Sequence, residues 1–529
     1  MNSKNIPNYD FLESSIEDIT RAAKSLLSDD QGSAGLKRSK GWLYAPLNSK
    51  LNLISMQQSV KSQELSGIKY QYVIGMGGSV SGSAVLTENS FNQSELKTFY
   101  LDSNHPRFIE EIMATMDFYT SMFVVCSKSG TTKETLTLFK YFFNQCRKKL
   151  GNEETKKRFV SITDPDSPLQ TLSEDMNIRV IHSDLDIGGR FSVLSSLSII
   201  PALMSGVDLA EIIRGSESAM ARCLGTKPDK EIEYRVTYLM NCLKESRDKL
   251  SIYVPRSLER FGLWLVQLIA ESLGKNQVGF IPVLRYLQHD EDMNLYDDEC
   301  CLIINDGSIE QSDYRGSEKK LTRYTEVMEI GIHDADKLGQ ELYYWEFSVA
   351  LIGLMLGINP FNQPDVELSK RIFEEIESGS EDWFDAPLFE NSIEDTFEQI
   401  STEVELGKYI AILPYLNPSD RCREVFEKLR SQLESYFHVP VVLDFGPRYL
   451  HTTGQLFKGG PGSGVFIQIL EKGHQDKLTS NELIELYVQM VFQAQSDYEA
   501  MEKLGRYVCR IYIPFDDLES VQNSVSYMR

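Results

Sequence analysis

Short strand-like runs alternate with helix-like runs over most of this chain, and this alternation constrains its fold more than any other feature. From about Lys69 the runs rich in β-branched and aromatic residues are YQYVIGM, LKTFYLD, MFVVCSK, RFVSITD and NIRVIHSD. Between them lie segments such as TTKETLTLFKYFFNQC, in which apolar residues recur at helical spacing. Strands that alternate with helices form a parallel sheet with helices on both faces. The first part of the chain therefore predicts a doubly wound α/β domain.

The same alternation occurs twice more. A second block runs from KLSIYVP through LERFGLWLVQLIAESLG and ECCLIIND to ELYYWEFSVALIGLMLG, and a third, smaller block contains KYIAILPYL, VPVVLDFG, GVFIQIL and VCRIYIP. We predict an α/β protein with two doubly wound parallel-sheet domains and a smaller C-terminal α/β unit. The predicted boundaries are an N-terminal helical segment at 1–50, the first domain at 51–206, the second at 207–375, an acidic, solvated connector at 376–397 and the C-terminal unit at 398–529.

Charge and composition argue against several classes of function. Lys and Arg number 54 against 77 Asp and Glu, which gives a net charge of -23. Nucleic acid and acidic membrane surfaces both attract basic proteins, so neither is expected as a partner. The longest apolar stretches, FGLWLVQLIA and FSVALIGLMLGI, are shorter than the roughly 20 residues of a membrane span, and the N-terminus lacks a signal-peptide pattern. The eight cysteines and seven histidines show no metal-ligand spacing apart from the adjacent Cys300 and Cys301, so we expect reduced thiols, a cytoplasmic location and no metal.

A glycine-rich turn follows the first predicted strand. The segment Tyr72 to Gly82 reads YVIGMGGSVSG, with four glycines and two serines. Ligands bind at this end of the strands in such sheets, and glycines let backbone N–H groups approach an anion beside a helix N-terminus. The spacing matches neither G-x-G-x-x-G nor G-x-x-x-x-G-K-[ST]. The turn alone is therefore compatible both with a phosphate site and with a simple tight connection.

A second segment at the end of a later strand is rich in hydroxyl groups. It reads SKSGTTKET, and its hydroxyls belong to Ser127, Ser129, Thr131, Thr132 and Thr135. A helix N-cap uses one or two hydroxyls, so five favour a different role. Hydroxyls together with helix-end amides form a cradle for a phosphate monoester. We therefore favour a ligand site over a cap.

Four separated motifs resemble the phosphoglucose isomerase family. The glycine turn followed by S-K-[ST]-x-x-T is similar to the sugar isomerase (SIS) fold. The segments similar to the family's own signatures are DIGGRFSVLSSLS at Asp186–Ser198, ESLGK at Glu271–Lys275 and FNQPDVELSK at Phe361–Lys370. In the third block, FGPRYLHTTGQLFKGGPGSGVFIQI resembles the isomerase half of bifunctional transaldolase/phosphoglucose isomerase proteins. The likeness extends over most of residues 69–515, without a transaldolase half.

The resemblance implies a reaction and a set of site residues. The implied enzyme interconverts glucose 6-phosphate and fructose 6-phosphate through an enediol(ate), in glycolysis and gluconeogenesis, without metal or organic cofactor. It implies Glu271 as the base, Arg190 as the group that stabilises the enediolate, and Gln363 with Lys370 beside the sugar ring, where the lysine takes part in ring opening. A homodimer with active sites near the subunit interface is also implied. The implied phosphate-binding residues are Gly78, Ser79, Ser127, Lys128, Ser129, Thr132 and Thr135, with Lys128 as a local positive charge.

The residues themselves leave alternatives open. Glu271 ends an apolar helix, where partial burial raises a carboxyl pKa, but a surface glutamate also fits. Arg190 at the start of the predicted apolar helix FSVLSSLSIIPALM needs an anionic partner, which a structural salt bridge would also supply. Lys370 in a first helical turn commonly faces solvent.

Two features depart from the family pattern. Asn362 stands in place of an aspartate, which removes a charge next to Gln363. A ring-opening histidine in an H-x-x-x-Q segment is expected some tens of residues after Glu271, and no such segment lies there. His289, in YLQHDED, does not have this spacing, and we expect it to be a surface residue. His451 in LHTTGQLFKGG is the better candidate for a catalytic histidine, although a loop-supporting role fits equally.

Two other functions remain compatible with the sequence. A non-catalytic sugar-phosphate sensor would need only the phosphate cradle, so the joint presence of Glu271, Arg190, Gln363 and Lys370 argues against it. A related isomerase acting on mannose or amino-sugar phosphates would use the same groups, because specificity depends on pocket shape.

Overall fold

The computed structural model describes most of the chain, and the elements named below are numbered within that part. The described residues are 16–27, 40–61, 66–89, 91, 94, 96–225, 229–287, 296–308, 327–379, 393–472, 478, 480–514 and 517–524. His289 lies outside them.

The first sheet has five parallel strands in the order β2-β1-β3-β4-β5. These are β1 (Tyr70–Ile74), β2 (Lys97–Leu101), β3 (Ser121–Cys126), β4 (Phe159–Thr163) and β5 (Arg179–His182). The helices of this part of the chain are α1 (Ile16–Leu27), α2 (Ala45–Lys61), α3 (Gly78–Thr87), α4 (Pro106–Thr115), α5 (Lys133–Leu150), α6 (Asn152–Lys157), α7 (Pro168–Asp175) and α8 (Ser196–Met204).

The second sheet has four parallel strands in the order β7-β6-β8-β9. These are β6 (Lys249–Val254), β7 (Ile281–Tyr286), β8 (Glu299–Asn305) and β9 (Val327–Gly331), of which sequence analysis singled out β6 and β8. The helices of this region are α9 (Ala210–Cys223), α10 (Lys230–Lys244), α11 (Glu259–Leu273), α12 (Ala335–Met355) and α13 (Glu367–Ser378).

The third sheet also has four parallel strands, in the order β11-β10-β12-β13. These are β10 (Tyr409–Tyr415), β11 (Val441–Leu443), β12 (Gly464–Lys472) and β13 (Tyr507–Pro514). Its helices are α14 (Ile393–Glu403), α15 (Asp420–Phe437), α16 (Gly454–Gly459), α17 (Asn481–Lys503) and α18 (Leu518–Ser524). Three parallel sheets with intervening helices confirm the predicted α/β fold class.

Apolar cores continue across the three units. One core joins Val73 of the first sheet to Ile252 and Leu342 of the second region, because α8 and α12 are buried over most of their length. A second core joins Ala270 of α11 to Tyr409 of β10. The three units therefore pack as neighbours, which brings loops from all of them to common surfaces.

Several local expectations differ from the structure. The connector placed at 376–397 begins inside α13 and ends inside α14, and its part at 380–392 lies outside the described residues. The apolar helix placed directly after Arg190 begins only at Ser196, and Arg190 itself lies in a 3-10 turn, Gly189–Phe191. All eight cysteines are free and buried. No helix among the described residues combines the length and apolar character needed to cross a membrane.

Candidate active site

A pocket of about 620 Å³ lies where the three units meet. Among the described residues, no group of three or more His, Cys, Asp or Glu side chains is arranged to hold a metal ion. The pocket brings together residues that are far apart in sequence and that the motifs had singled out. Its walls include Gly78, Ser79, Lys128, Ser129, Thr132, Arg190, Gln267, Glu271, Gln363, Lys370 and His451.

The glycine turn allows other segments of the site to approach it. Gly77 has a φ of +52°, and a Cβ added there would overlap the backbone of His451. A Cβ at Gly78 would overlap the backbone of Gly189, next to Arg190. The glycines predicted to let the backbone approach a phosphate therefore also let the turn pack against the two segments that carry Arg190 and His451.

Glu271 is buried at the end of α11, with 5% of its surface exposed. The apolar residues of this helix direct it into the protein, and Glu271 follows them into the pocket. Gln363 Nε2 donates to Glu271 Oε1, and Gln267 Nε2 donates to Oε2 at 3.0 Å. Burial raises the pKa of Glu271, and the charge of Arg190 offsets part of this shift. Glu271 is thus an oriented carboxyl group rather than a surface residue.

Arg190 lies beside this carboxyl group and is also buried. One guanidinium nitrogen is 3.9 Å from Glu271 Oε2. The guanidinium donates to Ser272 Oγ at 2.9 Å and to the backbone carbonyls of Pro360 and Asn362 at 2.6 and 3.1 Å. The Asn362 contact uses the main chain, so the replacement of an aspartate side chain at this position does not remove it.

Lys275 fixes the loop that holds Arg190. Its buried Nζ donates to the carbonyl of Ser272 at 3.1 Å and to that of Asn359 at 2.7 Å. Burial and the nearby charge of Arg190 lower the pKa of Lys275 to about 6. A neutral amine has two N–H groups, and each of the two carbonyls accepts a hydrogen bond from one of them. Sequence analysis included Lys275 in a motif but assigned it no role.

His451 forms a pair with Glu134 across 317 residues of sequence. His451 Nε2 and Glu134 Oε1 are 2.6 Å apart, and Gln493 Nε2 donates to the same oxygen at 2.5 Å. Burial alone would lower the pKa of His451, but the charge and hydrogen bond of Glu134 outweigh it and raise the pKa. Burial would likewise raise the pKa of Glu134, but the charge of His451 outweighs it and lowers the pKa. The pair thus favours a carboxylate and an imidazolium.

The H-x-x-x-Q spacing that was not found shortly after Glu271 is present at His451–Gln455. Gln455 Nε2 donates to the carbonyl of Gly274 at 3.0 Å and to Asp365 Oδ2 at 2.5 Å. The sequence had singled out His451 in this segment, but the spacing was expected closer to Glu271, whereas the third unit supplies it.

The predicted phosphate cradle is only partly at the pocket surface. Gly78, Ser79, Ser129 and Thr132 line the pocket, whereas Ser127 and Thr135 are buried and do not line it. Thr132 is the N-cap residue of α5, yet its side chain makes no capping hydrogen bond and accepts one from Ser127 Oγ at 3.3 Å.

Lys128 differs from expectation. Its Nζ is 2.7 Å from Asp164 Oδ1 and also donates to the carbonyl of Asp184 at 2.7 Å. The charge of Lys128 is therefore neutralised by Asp164, and the lysine is not the free local cation that the sequence suggested.

Lys370 is at the pocket rim rather than beside Glu271. Its side chain is 64% exposed and its Nζ is 2.6 Å from Glu367 Oε1, in the first turn of α13. Lys370 and Glu271 line the same pocket, so the predicted convergence of base, arginine and lysine on one cavity is present.

Comparison with known proteins shows which family and relatives this chain resembles. The sequence model of the family "Phosphoglucose isomerase" matches residues 50–279. A glucose-6-phosphate isomerase of Campylobacter jejuni is 27% identical over 375 residues, which cover 63% of this chain and 91% of that protein. Over residues 50–279 the chain is thus similar to the phosphoglucose isomerase family.

Two solved structures share the fold of this chain. A hypothetical protein from Thermus thermophilus is 22% identical with a TM-score of 0.59, and the match covers 68% of this chain and 94% of that one. A glucose-6-phosphate isomerase from Chlamydia trachomatis is 17% identical with a TM-score of 0.53, over 73% of this chain and 81% of that one. The family match includes Gly78, Arg190 and Glu271, while Gln363, Lys370 and His451 lie beyond its end at residue 279.

Proposed function

We propose that the chain is a glucose-6-phosphate isomerase that interconverts glucose 6-phosphate and fructose 6-phosphate by proton transfer through a cis-enediol(ate). The observation that carries the proposal is the buried carboxyl group of Glu271, with a raised pKa, next to the buried Arg190. The curated relatives with this name support the same reaction. The expected setting is glycolysis and gluconeogenesis.

The phosphate group would bind where two helices begin. The N-termini of α3 and α5 both lie at the pocket, where Ser79 and Thr132 line its wall. Unpaired N–H groups and the helix dipole attract an anion at such ends. Hydroxyls of Ser79, Ser129 and Thr132 would add hydrogen bonds, while Ser127 would act through its contact with Thr132. Thr135 and Gly78 complete the proposed set as supports of this wall.

Glu271 would carry the proton between the two carbons. Its raised pKa makes it a stronger base than an exposed glutamate, while Gln267 and Gln363 fix its orientation. As the proton leaves, negative charge develops on the sugar oxygens. Arg190 is held in place by three acceptors and would stabilise this charge without reorganisation.

His451 and Lys370 would open the sugar ring. Glu134 favours the imidazolium form of His451, and an imidazolium can donate a proton to the ring oxygen. Lys370 at the rim would act beside it, after leaving Glu367. This chain would work as a cytoplasmic homodimer without metal or organic cofactor and without nucleic-acid or membrane partners, as the family resemblance implies.

A coupled assay for glucose 6-phosphate formation tests the proposal. Glu271→Gln should lower kcat by roughly 10³-fold, because the side chain keeps its shape but loses its basicity. Glu374→Gln, at an exposed carboxylate of the same pocket, is the matched control and should stay within about twofold of the parent. Negligible turnover in the parent together with tight sugar-phosphate binding would instead favour a sensor. Turnover of mannose 6-phosphate in preference to fructose 6-phosphate would favour the related isomerase.

A further inference from the structure

A second pocket, of about 790 Å³, shares no lining residue with the candidate active site. We call it the arginine cavity. It lies between the carboxyl end of β2, the N-terminal part of α11 and the start of α15. Aromatic and apolar side chains, among them Phe99 and Leu263, form part of its wall. A cavity of this size can hold a small organic molecule.

Four arginines line this cavity: Arg256, Arg260, Arg423 and Arg448. The whole chain has 77 acidic and 54 basic residues. The cavity is lined by four acidic and four basic residues, so its lining is less acidic than the protein as a whole. Arg260, Arg423 and Arg448 are close enough to repel one another. Such an arrangement is stabilised by an anion placed between the guanidinium groups.

The neighbouring carboxylates do not satisfy all of these donors. Arg260 pairs with Glu88 at 2.5 Å, and Arg448 pairs with Asp444 at 2.9 Å. Arg423 donates from Nε to the carbonyl of Pro418 at 3.1 Å, and within the described part of the chain it forms no ion pair. Its terminal guanidinium nitrogens therefore remain available.

Asp102 is the carboxylate that acts electrostatically on Arg260, Arg423 and Arg448. Among the described residues it forms an ion pair with none of them. Asp102 and Glu259 thus act on Arg423 from a distance without forming an ion pair with it, which leaves its terminal nitrogens open to a further anion.

We propose that the arginine cavity is a binding site for a small anion of the phosphate class, held chiefly by Arg423 together with Arg260 and Arg448. Planar guanidinium groups bind phosphate oxygens in pairs, which suits three of them around one dianion. Arg256, stacked 3.5 Å from the centre of the Tyr286 ring, would add charge at the cavity wall.

The site would connect two parts of the catalytic pocket. Arg260 lies on α11, the helix that carries Gln267 and Glu271. Arg448 begins the 3-10 turn that ends at His451. An anion held between Arg260 and Arg448 would therefore tie the helix of the base to the turn of the histidine, and its binding would stabilise the folded protein.

Isothermal titration of the full chain with inorganic phosphate tests this proposal. Phosphate is also expected to bind at the catalytic cradle, so the titration has to distinguish two sites. The parent should bind two phosphates per chain. Ser79→Ala combined with Thr132→Ala should weaken one of them, and Arg423→Gln should weaken the other by about tenfold. Arg421→Gln, two residues away on the same helix and outside the cavity, is the charge-matched control.

The possible outcomes distinguish phosphate binding in the arginine cavity from a general effect of removing one positive charge. Two phosphates in Arg421→Gln and one weakened phosphate in Arg423→Gln, with the parent rate of isomerisation, would support the site. One phosphate in the parent would overturn it, as would equal weakening by both arginine substitutions. Arg256→Gln at the other wall serves as a second variant, and thermal unfolding with and without phosphate checks that each protein is folded. Phosphate should raise the Tm of both the Ser79/Thr132 variant and Arg423→Gln, but by less than that of the parent, because each variant keeps only one intact site.

Discussion

The two walls of the candidate active site differ in how their polar groups are engaged. On the wall formed by α11 and the loop at 359–363, Glu271, Arg190 and Lys275 each make two or more hydrogen bonds to fixed partners. On the cradle wall, the hydroxyls bond weakly or to one another, as with Ser79 at 3.4 Å from the Lys128 amide and Ser129 at 2.9 Å from Thr131. The wall that would perform the chemistry is organised before substrate binds, whereas the cradle keeps donors free for a phosphate.

Arg190→Lys should lower kcat more than the other changes proposed below, because it disrupts the wall that holds Glu271. Lysine cannot reproduce the fork that reaches Ser272, Pro360 and Asn362, so kcat should fall roughly 10²- to 10³-fold with a smaller change in KM. Steady-state kinetics measures the changes in kcat and KM separately. Arg179→Lys, an arginine that bonds the Ser59 carbonyl at 2.9 Å outside the pocket, is the control. Equal losses in both variants would show that Arg190 has only a structural role.

Replacement of His451 or Glu134 tests the part of the site supplied by the third unit. His451→Gln should lower kcat on cyclic substrate by roughly 10²-fold, since the proton donor for ring opening is lost. Glu134 raises the pKa of His451, so the acid form persists to higher pH in the parent. In Glu134→Gln the high-pH limb of the kcat profile should therefore move to lower pH. An unchanged limb would contradict the assigned role of the pair.

Lys275→Met should loosen the organised wall without removing a reacting group. We expect kcat to fall about tenfold, because the loop that holds Arg190 and Gln363 loses its anchor on α11. The pH dependence of stability gives a second readout. The pKa of Lys275 is lowered from 10.5 to about 6 on folding, so the unfolded chain binds the extra proton between these values.

The sign of that effect is fixed by linkage. The parent should lose stability relative to Lys275→Met as the pH falls from about 10.5 to about 6, and the difference should be constant below that range. Urea unfolding of both proteins across this range measures it. A difference independent of pH would mean that Lys275 stays charged in the folded protein.

The combined change of Ser79→Ala and Thr132→Ala should give the smallest effect on turnover. Loss of two hydroxyl donors should raise KM for fructose 6-phosphate about tenfold and leave kcat within about threefold. Ser435→Ala, which removes a hydroxyl from α15 outside the pocket, should change neither constant. A kcat loss as large as that of Arg190→Lys would erase the distinction between the two walls.

Sequence reasoning succeeded where local pattern determines the outcome. Alternating runs predicted three α/β units, and the motifs predicted that Glu271, Arg190, Gln363 and Lys370 share one pocket. It failed where contacts span the chain. The pairing of Lys128 with Asp164, of His451 with Glu134 and of Lys275 with Asn359 depends on how loops meet. No periodicity encodes such contacts, and β7 and β9 were missed for want of a clear local signal.

The most direct test of the account is exchange of the sugar C2 proton with solvent at equilibrium in D₂O, followed by NMR over many turnovers. Proton transfer through Glu271 predicts that the parent replaces the C2 proton of glucose 6-phosphate with deuterium, and that Glu271→Gln does so roughly 10³-fold more slowly. Interconversion by the parent with the C2 proton retained, or exchange by Glu271→Gln at the parent rate, would contradict it.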